Sequence, residues 1–147
     1  MEISQVESRI TSFEFEGQVK QLNFVETTHV KPGVDCDVYL FVGDKTKDLG
    51  IIKIQQGNWT PPQEVLLGDR TVEGYVSGKG KLVILRGGKD REEHKVGDNP
   101  EEKLSVDVKI GDVMQWQADE DSNLSASEIC FPPYADGRYN NLPDRKI

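Results

Sequence analysis

The amino-acid sequence predicts a single all-β domain, built as an antiparallel barrel or sandwich. Short runs of alternating or β-branched residues recur along the chain, and glycine-containing turns separate them at intervals typical of such folds. No segment keeps a clear helical period of apolar residues, apart from a weak one at Glu2 to Phe13. The length of 147 residues suits one domain, 1–147, with its own core.

The predicted strands follow one another with few long connections. They are Phe13 to Val25, Val38 to Val42, Gly50 to Gln56, Gln63 to Leu67, Arg70 to Ser77, Lys81 to Arg86, Lys103 to Ile110, Asp112 to Gln117 and Leu124 to Phe131. Glycine, proline, asparagine and aspartate supply the turns between them. The segment from Lys89 to Glu102 is densely charged with mixed signs, so we expect a solvated loop there.

Charge and cysteine content restrict the partners and the compartment. The net charge of −8 repels phosphate backbones and anionic lipids, which argues against nucleic acid and membrane partners. Met1 to Ser4 lacks a basic, apolar signal region. Cys36 and Cys130 are too few for a disulfide framework. We therefore expect a cytoplasmic protein with two reduced thiols.

Two segments resemble the paired signatures of the cupin superfamily. Gly57 to Gly80 contains a strand–turn–strand around Ser77-Gly78-Lys79-Gly80, and Val108 to Val113 contains the Gly-Asp turn that opens the second signature. Gly78 and Gly80 suit positions that need positive φ. The resemblance implies an all-β cupin-type jelly-roll β-barrel with a core at about 37–131, an N-terminal extension 1–36 and a C-terminal tail 132–147. Because many cupins dimerise through an N-terminal strand, it also implies a homodimer in which Phe13 to Val25 is a partner surface.

The metal-binding histidines of that superfamily are absent from the matching positions. The two histidine positions of the first signature fall on Gln63 and Val65, the third falls near Ser122, and the glutamate position falls on Thr71 or Glu73. The histidines of the chain, His29 and His94, lie elsewhere. Since a transition metal needs several such donors converging from rigid strands, we expect no metal and no other cofactor.

Glu73 and Tyr75 are the candidate catalytic residues. Alternation along a strand places Thr71, Glu73 and Tyr75 on one face, opposite Val72 and Gly74. If the first face lines the interior, burial would raise the pKa of Glu73 and make it a general acid or base. Alternatively, Glu73 pairs with Arg70 or Lys81 at the barrel edge, or hydrogen-bonds Tyr75.

Further candidate ligand-binding residues lie around the predicted mouth of the barrel. Gln63 could donate and accept hydrogen bonds, or be solvated after the Pro61-Pro62 turn. Trp59 and Trp116 could stack on a sugar ring, although packing explains both, and Met114 shares a face with Trp116. Glu128 shares a face with Ala126 and Cys130 and is a candidate if that face points inward, although the outward orientation is slightly favoured. In the proline-aromatic tail, Tyr134, Arg138 and Tyr139 either close over an anion or sugar or brace the fold.

Three functions are compatible with these residues. The first is metal-independent binding of a small polar or carbohydrate ligand by Gln63, Glu73, Tyr75 and a tryptophan. The second resembles the deoxy-sugar epimerases of the superfamily, with Glu73 and Tyr75 in place of their histidine base. The third is a structural or dimerisation protein with a filled barrel. A hollow, polar interior would favour the first two.

Overall fold

A computed structural model describes residues 9–147, which form twelve strands. The strands are β1 Ser12–Phe15, β2 Gln18–Lys31, β3 Val34–Phe41, β4 Asp44–Ile54, β5 Gln63–Val65, β6 Arg70–Gly78, β7 Gly80–Arg86, β8 Asp90–Val96, β9 Ser105–Val108, β10 Val113–Ala118, β11 Leu124–Phe131 and β12 Tyr139–Asn141. The segment Met1 to Ser4 and most of the weak helical pattern at Glu2 to Phe13 lie outside the described residues. Over the described range, the chain has no helix that is both long and apolar enough to cross a bilayer.

The strands form two antiparallel sheets that face each other. The larger sheet has the order β1-β2-β3-β4-β11-β6-β9, and the smaller has the order β12-β5-β10-β7-β8. Neighbours that are distant in sequence, such as β4 and β11, produce the crossed-over pattern of a jelly roll. The main core fills the space between the sheets, with Leu82, Ile84 and Trp116 from the smaller sheet against Ile54 and Leu124 from the larger.

A second apolar cluster covers the outer face of the larger sheet. Its buried members come from five of the seven strands: Leu22, Tyr39, Phe41, Leu49, Ile51, Val72 and Ile129. Phe13 and Phe15 on β1 pack over this face, because the β1–β2 hairpin curls onto it. The sequence prediction of one strand from Phe13 to Val25 was therefore wrong in one respect. A turn at Glu16 and Gly17, both with positive φ, divides it into β1 and β2.

The β6–β7 turn depends on two glycines for different reasons. Gly78 has φ of 86°, as predicted, and an added Cβ would clash with the backbone carbonyl of Asn123. Gly80 does not have positive φ, so that prediction was wrong. Its requirement is steric, since a Cβ there would overlap the carbonyl oxygen of Gln117 on the paired strand β10.

The charged segment after Lys89 was predicted as a loop, and this too was wrong. Asp90–Val96 forms β8, which pairs with the whole of β7. Its cross-strand ion pairs, Arg86 with Glu92 at 3.0 Å and Lys81 with Glu93 at 3.5 Å, replace apolar contacts at this edge of the smaller sheet. The prediction failed because opposite charges facing each other stabilise a strand pair as alternating apolar residues do.

Candidate functional site

Strand register brings two glutamates together on the inner face of the larger sheet. Glu73 on β6 lies directly opposite Glu128 on β11, and Glu128 lies opposite Gly50 on β4. The inward orientation of Thr71, Glu73 and Tyr75 is confirmed by the contacts of Glu73 and Tyr75 with the main core. The outward orientation expected for Glu128 was wrong, because its side chain contacts Tyr139 between the sheets.

Glu73 is almost completely buried, with 1% of its surface exposed. Its Oε1 accepts a hydrogen bond of 2.7 Å from the indole Nε1 of Trp116. Its Oε2 receives no N–H donor, and a protonated Glu73 shares a hydrogen bond with the carboxyl group of Glu128 instead. Burial, followed by the negative charge of Glu128, raises the pKa of Glu73 well above its ordinary value. The alternatives of pairing with Arg70 or Lys81 were wrong, since these residues pair with Asp107 and Glu93 instead.

Glu128 lies half-buried between β11 and the C-terminal tail. The hydroxyl of Tyr139 donates to its Oε1 at 2.9 Å, and the thiol of Cys130 lies 3.3 Å from the same hydroxyl. Burial, then the charge of Glu128, raises the pKa of both Tyr139 and Cys130. Glu128 is thus accessible to solvent while Glu73 lies behind it.

Gly50 keeps β4 free of a side chain beside Glu128. A Cβ at this position would lie 3.0 Å from Sγ of Cys36, which covers the strand from β3. Burial and the charge of Glu128 raise the pKa of the Cys36 thiol to about 12, so it stays protonated. Both described cysteines carry free thiols.

Asp48 is a third acid in this region, and sequence analysis missed it. Its Oδ2 accepts a hydrogen bond of 3.0 Å from the backbone amide of Tyr134, and its neighbour across the sheet is Cys130. Burial raises the pKa of Asp48, partly offset by the bond from Tyr134 and increased again by the charge of Glu128. The predicted strand began at Gly50, but alternation back from Gly50 would have placed Asp48 on the same face.

Gln63 belongs to the smaller sheet. It stands on β5 beside the tail strand β12, where its amide Nε2 donates to Oδ1 of Asn141 at 2.8 Å. Gln63 and Val65 alternate on one face of β5, and Tyr139 and Asn141 alternate on β12. Of these residues, Tyr139 reaches the acids of the larger sheet, through its hydrogen bond to Glu128.

The other candidate aromatic residues have structural contacts. Trp116 is buried in the main core, as the packing alternative predicted, and its indole nitrogen donates a hydrogen bond to Glu73. Trp59 lies away from the acids, where its indole donates to Asp144 and Lys31 lies over its ring. The hydroxyl of Tyr75 donates to the carbonyl of Gly78 at 2.8 Å, so it does not pair with Glu73. The ligand-binding roles of these residues stay predictions.

Arg138 holds the C-terminal tail against β6. It is 4% exposed, and its Nη2 donates to the backbone oxygen of Arg70 at 2.7 Å and to Oγ1 of Thr71 at 2.8 Å. Its Nη1 donates to the backbone oxygen of Pro132 at 3.1 Å. These contacts favour the brace over the anion-binding role, which stays a prediction.

The histidines lie outside the acid region. His29 on β2 pairs with Asp35 at 2.6 Å, and His94 on β8 pairs with Glu92 at 2.8 Å. Ser122 lies in the turn between β10 and β11. Residues 9–147 contain no group of three or more histidine, cysteine, aspartate or glutamate side chains arranged to hold a metal ion.

Two surface depressions lie away from Glu73. The first, of about 730 Å³, is open at the β2–β3 turn and includes His29, Lys53 and Ser125. The second, of about 370 Å³, includes Arg70, Asp107 and Lys109. Neither includes Glu73, Glu128 or Gln63 in its lining.

Known structures share this architecture at low sequence identity. The chain is similar to CapF, a capsular polysaccharide assembling protein from Staphylococcus aureus, with a TM-score of 0.62 and 14% identity over 82% of this chain and 34% of that chain. It is similar to the 7S globulin of Momordica charantia, with a TM-score of 0.60 and 12% identity over 81% of this chain and 35% of that one. It is also similar to a variant of Streptomyces PAC13 solved with uridine, with a TM-score of 0.55 and 12% identity over 85% of this chain and 88% of that one.

The chain spans about a third of the length of CapF and of the 7S globulin. No family model and no curated protein sequence matches it. At these identities the likeness concerns the fold, and the neighbours are cupin or jelly-roll proteins. The chain therefore has the all-β cupin-type jelly-roll fold.

Proposed function

We propose that this protein is a metal-independent module that binds a small polar or carbohydrate ligand at the barrel mouth. The packed core between the sheets by itself fits a filled barrel, the third function considered above. The observation that favours ligand binding instead is the facing pair of carboxyl groups, Glu73 and Glu128, which no described cation pairs with inside this apolar interior. Burying two carboxyl groups side by side in an apolar interior costs free energy, so a fold that keeps them gains from a ligand that bonds to them.

The groups around the two glutamates suit a hydroxyl-bearing ligand. Carboxylates accept hydrogen bonds from sugar hydroxyls, and the amide of Gln63 can both donate and accept. Tyr134 and Tyr139, whose ring centroids are 5.9 Å apart, stand beside Glu128 and present flat surfaces to a sugar ring. The PAC13 variant with a similar fold was solved with uridine, a sugar-containing ligand, so nucleosides belong among the compounds to test.

The test is ligand screening by thermal shift and by ligand-observed NMR with a panel of sugars and nucleosides. A ligand that binds only the folded protein raises the apparent Tm. We expect a hit to be lost in Glu128→Gln and weakened in Gln63→Ala, and to persist in Glu101→Gln, which alters a glutamate in an exposed loop. A hit that survives both site substitutions would place the ligand elsewhere and overturn this assignment.

Metal analysis of protein purified without chelator tests metal independence, and a stoichiometric transition metal would contradict it.

Proton transfer is a second candidate function, and the acid pair favours it. Glu73, held protonated by burial, and Glu128, open to solvent, could act as acid and base on a bound sugar. Tyr139 takes the place beside the acids that was expected for Tyr75. Turnover that disappears in Glu73→Gln while binding persists would support an enzyme.

The cytoplasmic location and the homodimer remain predictions. Within residues 9–147, residues 23–31 of β2 have a partner strand, β3, on one side only, which is consistent with a partner strand at this edge. Light scattering coupled to size-exclusion chromatography would measure the oligomeric state.

A further inference from the structure

The outer face of the smaller sheet carries two buried glutamines on β10. Met114 and Trp116 alternate into the main core, so Gln115 and Gln117 point to the opposite face of the strand. Glutamine on the outside of a sheet is ordinarily solvated, yet Gln115 is 1% exposed and Gln117 is 5% exposed. Val83, opposite Gln115 on β7, is completely buried although it belongs to neither apolar cluster. Another part of the chain therefore covers this face.

The covering element is the docking segment, residues 143–147. The side chain of Gln115 holds its backbone at two points: Nε2 donates to the carbonyl oxygen of Arg145 at 2.7 Å, and Oε1 accepts from the amide of Ile147 at 2.9 Å. Nε2 of Gln117 donates to Oε1 of Gln115 at 2.7 Å and to the main-chain oxygen of Ile147 at 3.2 Å. Because these bonds go to the backbone, they hold a peptide without reading its side chains.

Two side chains of the docking segment make specific contacts beside β10. Trp59 lies opposite Gln117 and therefore faces the same side of the sheet. Its indole Nε1 donates to Oδ1 of Asp144 at 3.0 Å, and Nζ of Lys31 lies 3.0 Å from Oδ2 of the same carboxylate. Nζ of Lys146 lies 5.5 Å from the centre of the Trp59 ring. Trp59, Lys31 and the two glutamines thus form a docking groove that selects an acidic residue followed two positions later by a basic one.

The docking segment is held by polar contacts at the surface, so it can leave the groove. Residues 144–146 are exposed and Ile147 is half-buried, so the segment buries little apolar area. Exposed ion pairs and single hydrogen bonds each contribute little net stability. The amide of Leu142 donates to the carbonyl oxygen of Pro62 at 2.9 Å and anchors the chain just before the segment. When the segment leaves, the two glutamines lose their backbone partners, which favours replacement by a matching peptide.

We propose that the docking segment of one copy of this chain binds in the docking groove of a second copy, so that two copies exchange residues 143–147. A second copy carries both the matching segment and the same groove. Exchange of an identical segment is a low-cost route to a symmetric dimer, because the contacts made within one molecule are made again between two. The inference is independent of the proposed ligand site, which lies between the sheets.

The reach of the docking segment fixes the geometry of such a dimer. Five residues span at most about 18 Å, so the outer faces of the two smaller sheets must lie close to each other. This interface is different from the open edge of β2 on the larger sheet. The tethered segment competes with the exchanged one through its high effective concentration, so the dimer should increase with protein concentration.

The experiment mixes two variants of the whole chain, neither of which can close the contact within one molecule. Gln115→Leu keeps the docking segment but lacks the amide that holds it. The second variant, Asp144→Lys with Lys146→Glu, keeps the groove but reverses both charges of the segment. In a mixture, the segment of the first variant can still bind in the groove of the second. We expect native mass spectrometry of mass-tagged chains to show mixed dimers exceeding each pure dimer by about tenfold, whereas random association gives about twofold.

A synthetic peptide of residues 141–147 gives a second measurement that does not depend on Gln115→Leu. The labelled peptide should bind the charge-reversed variant, whose groove is free, and fluorescence anisotropy measures its affinity. The same peptide with Asp144→Lys and Lys146→Glu should bind about tenfold more weakly, since both charged contacts become repulsive. Arg145→Ala in the peptide is the matched control and should leave the affinity unchanged, because this side chain is exposed.

The outcomes test the groove and the exchange separately. Mixed dimers at the random proportion, or a mixture that stays monomeric, would overturn the exchange between copies. A peptide that does not bind the charge-reversed variant, or binds equally well with its charges reversed, would overturn the docking groove. Mixed dimers in excess together with charge-dependent peptide binding would support both.

Discussion

The two faces of the larger sheet are built from the same strands, yet they differ in what they contain. On β11, Ile129 points outward into a closed apolar cluster, while its neighbour Glu128 points inward to the acids. On β6, Val72 points outward into the same cluster and its neighbour Glu73 points inward. The outer face is dominated by hydrophobic burial, whereas the inner face near the mouth keeps polar groups that lower stability. Such a cost, confined to one part of the barrel, agrees with the proposal of a ligand site there.

The largest expected effect comes from the outer face. Ile129→Ala should lower the free energy of unfolding by about 2–5 kcal/mol, because it removes methylene groups from a buried cluster and leaves a cavity. Ile129 is 1% exposed, so little relaxation by solvent can offset the loss. Urea unfolding measures it. A loss well under 1 kcal/mol would show that the outer cluster is not a packed core.

A substitution on the inner face, Glu73→Gln, should raise the free energy of unfolding instead of lowering it. The pKa of Glu73 in the folded protein is raised above its ordinary value of 4.5, mainly by burial. Between the two pKa values the folded protein holds a proton that the unfolded chain has lost, so stability falls as pH rises above 4.5. Glu73→Gln removes this loss. The difference in the free energy of unfolding between the variant and the wild type should therefore grow by up to about 1.4 kcal/mol for each unit of pH increase.

Unfolding curves at several pH values between about 4.5 and 8 would measure that difference in slope. Glu101→Gln is the matched control and should follow the wild type. Parallel stability curves for Glu73→Gln and the wild type would mean that Glu73 titrates as it does in the unfolded chain.

The next largest effect is expected at Arg138, which holds the C-terminal tail against β6. Arg138→Lys should lower stability by roughly 2 kcal/mol, since one ammonium cannot reproduce the forked bonds to Arg70, Thr71 and Pro132. Hydrogen exchange in residues 132–147 should accelerate more than exchange in β4 or β11. Arg145→Lys, at an exposed tail position, serves as the control, and an equal effect of both would argue against the brace.

The smallest effect is expected at the hydroxyl of Tyr139. Tyr139→Phe keeps the ring beside Tyr134 but removes the donor to Glu128, so we expect a loss of about 1 kcal/mol. Thermal unfolding would detect it. A loss as large as that of Ile129→Ala would mean that the inner and outer faces do not differ in the way described here.

Sequence patterns predicted much of the fold but less of the site. Alternation along β6 correctly placed Thr71, Glu73 and Tyr75 on one face but left open whether that face points inward, and most strands were predicted within a few residues of their bounds. The same rule was not decisive for Glu128, because the small or neutral residues beside it, Ala126 and Cys130, are compatible with either face. β8 was missed because its charges resemble those of a solvated loop.

By itself, the sequence determined the fold class, most of the turns and the residues that share a face of β6 with Glu73, because these depend on residues close together in the chain. Only the tertiary structure decided that Glu128 stands opposite Glu73 and that Tyr139 returns from the tail to meet it. These contacts join segments far apart in sequence. Their register is set by the packing of whole strands, which local patterns do not encode.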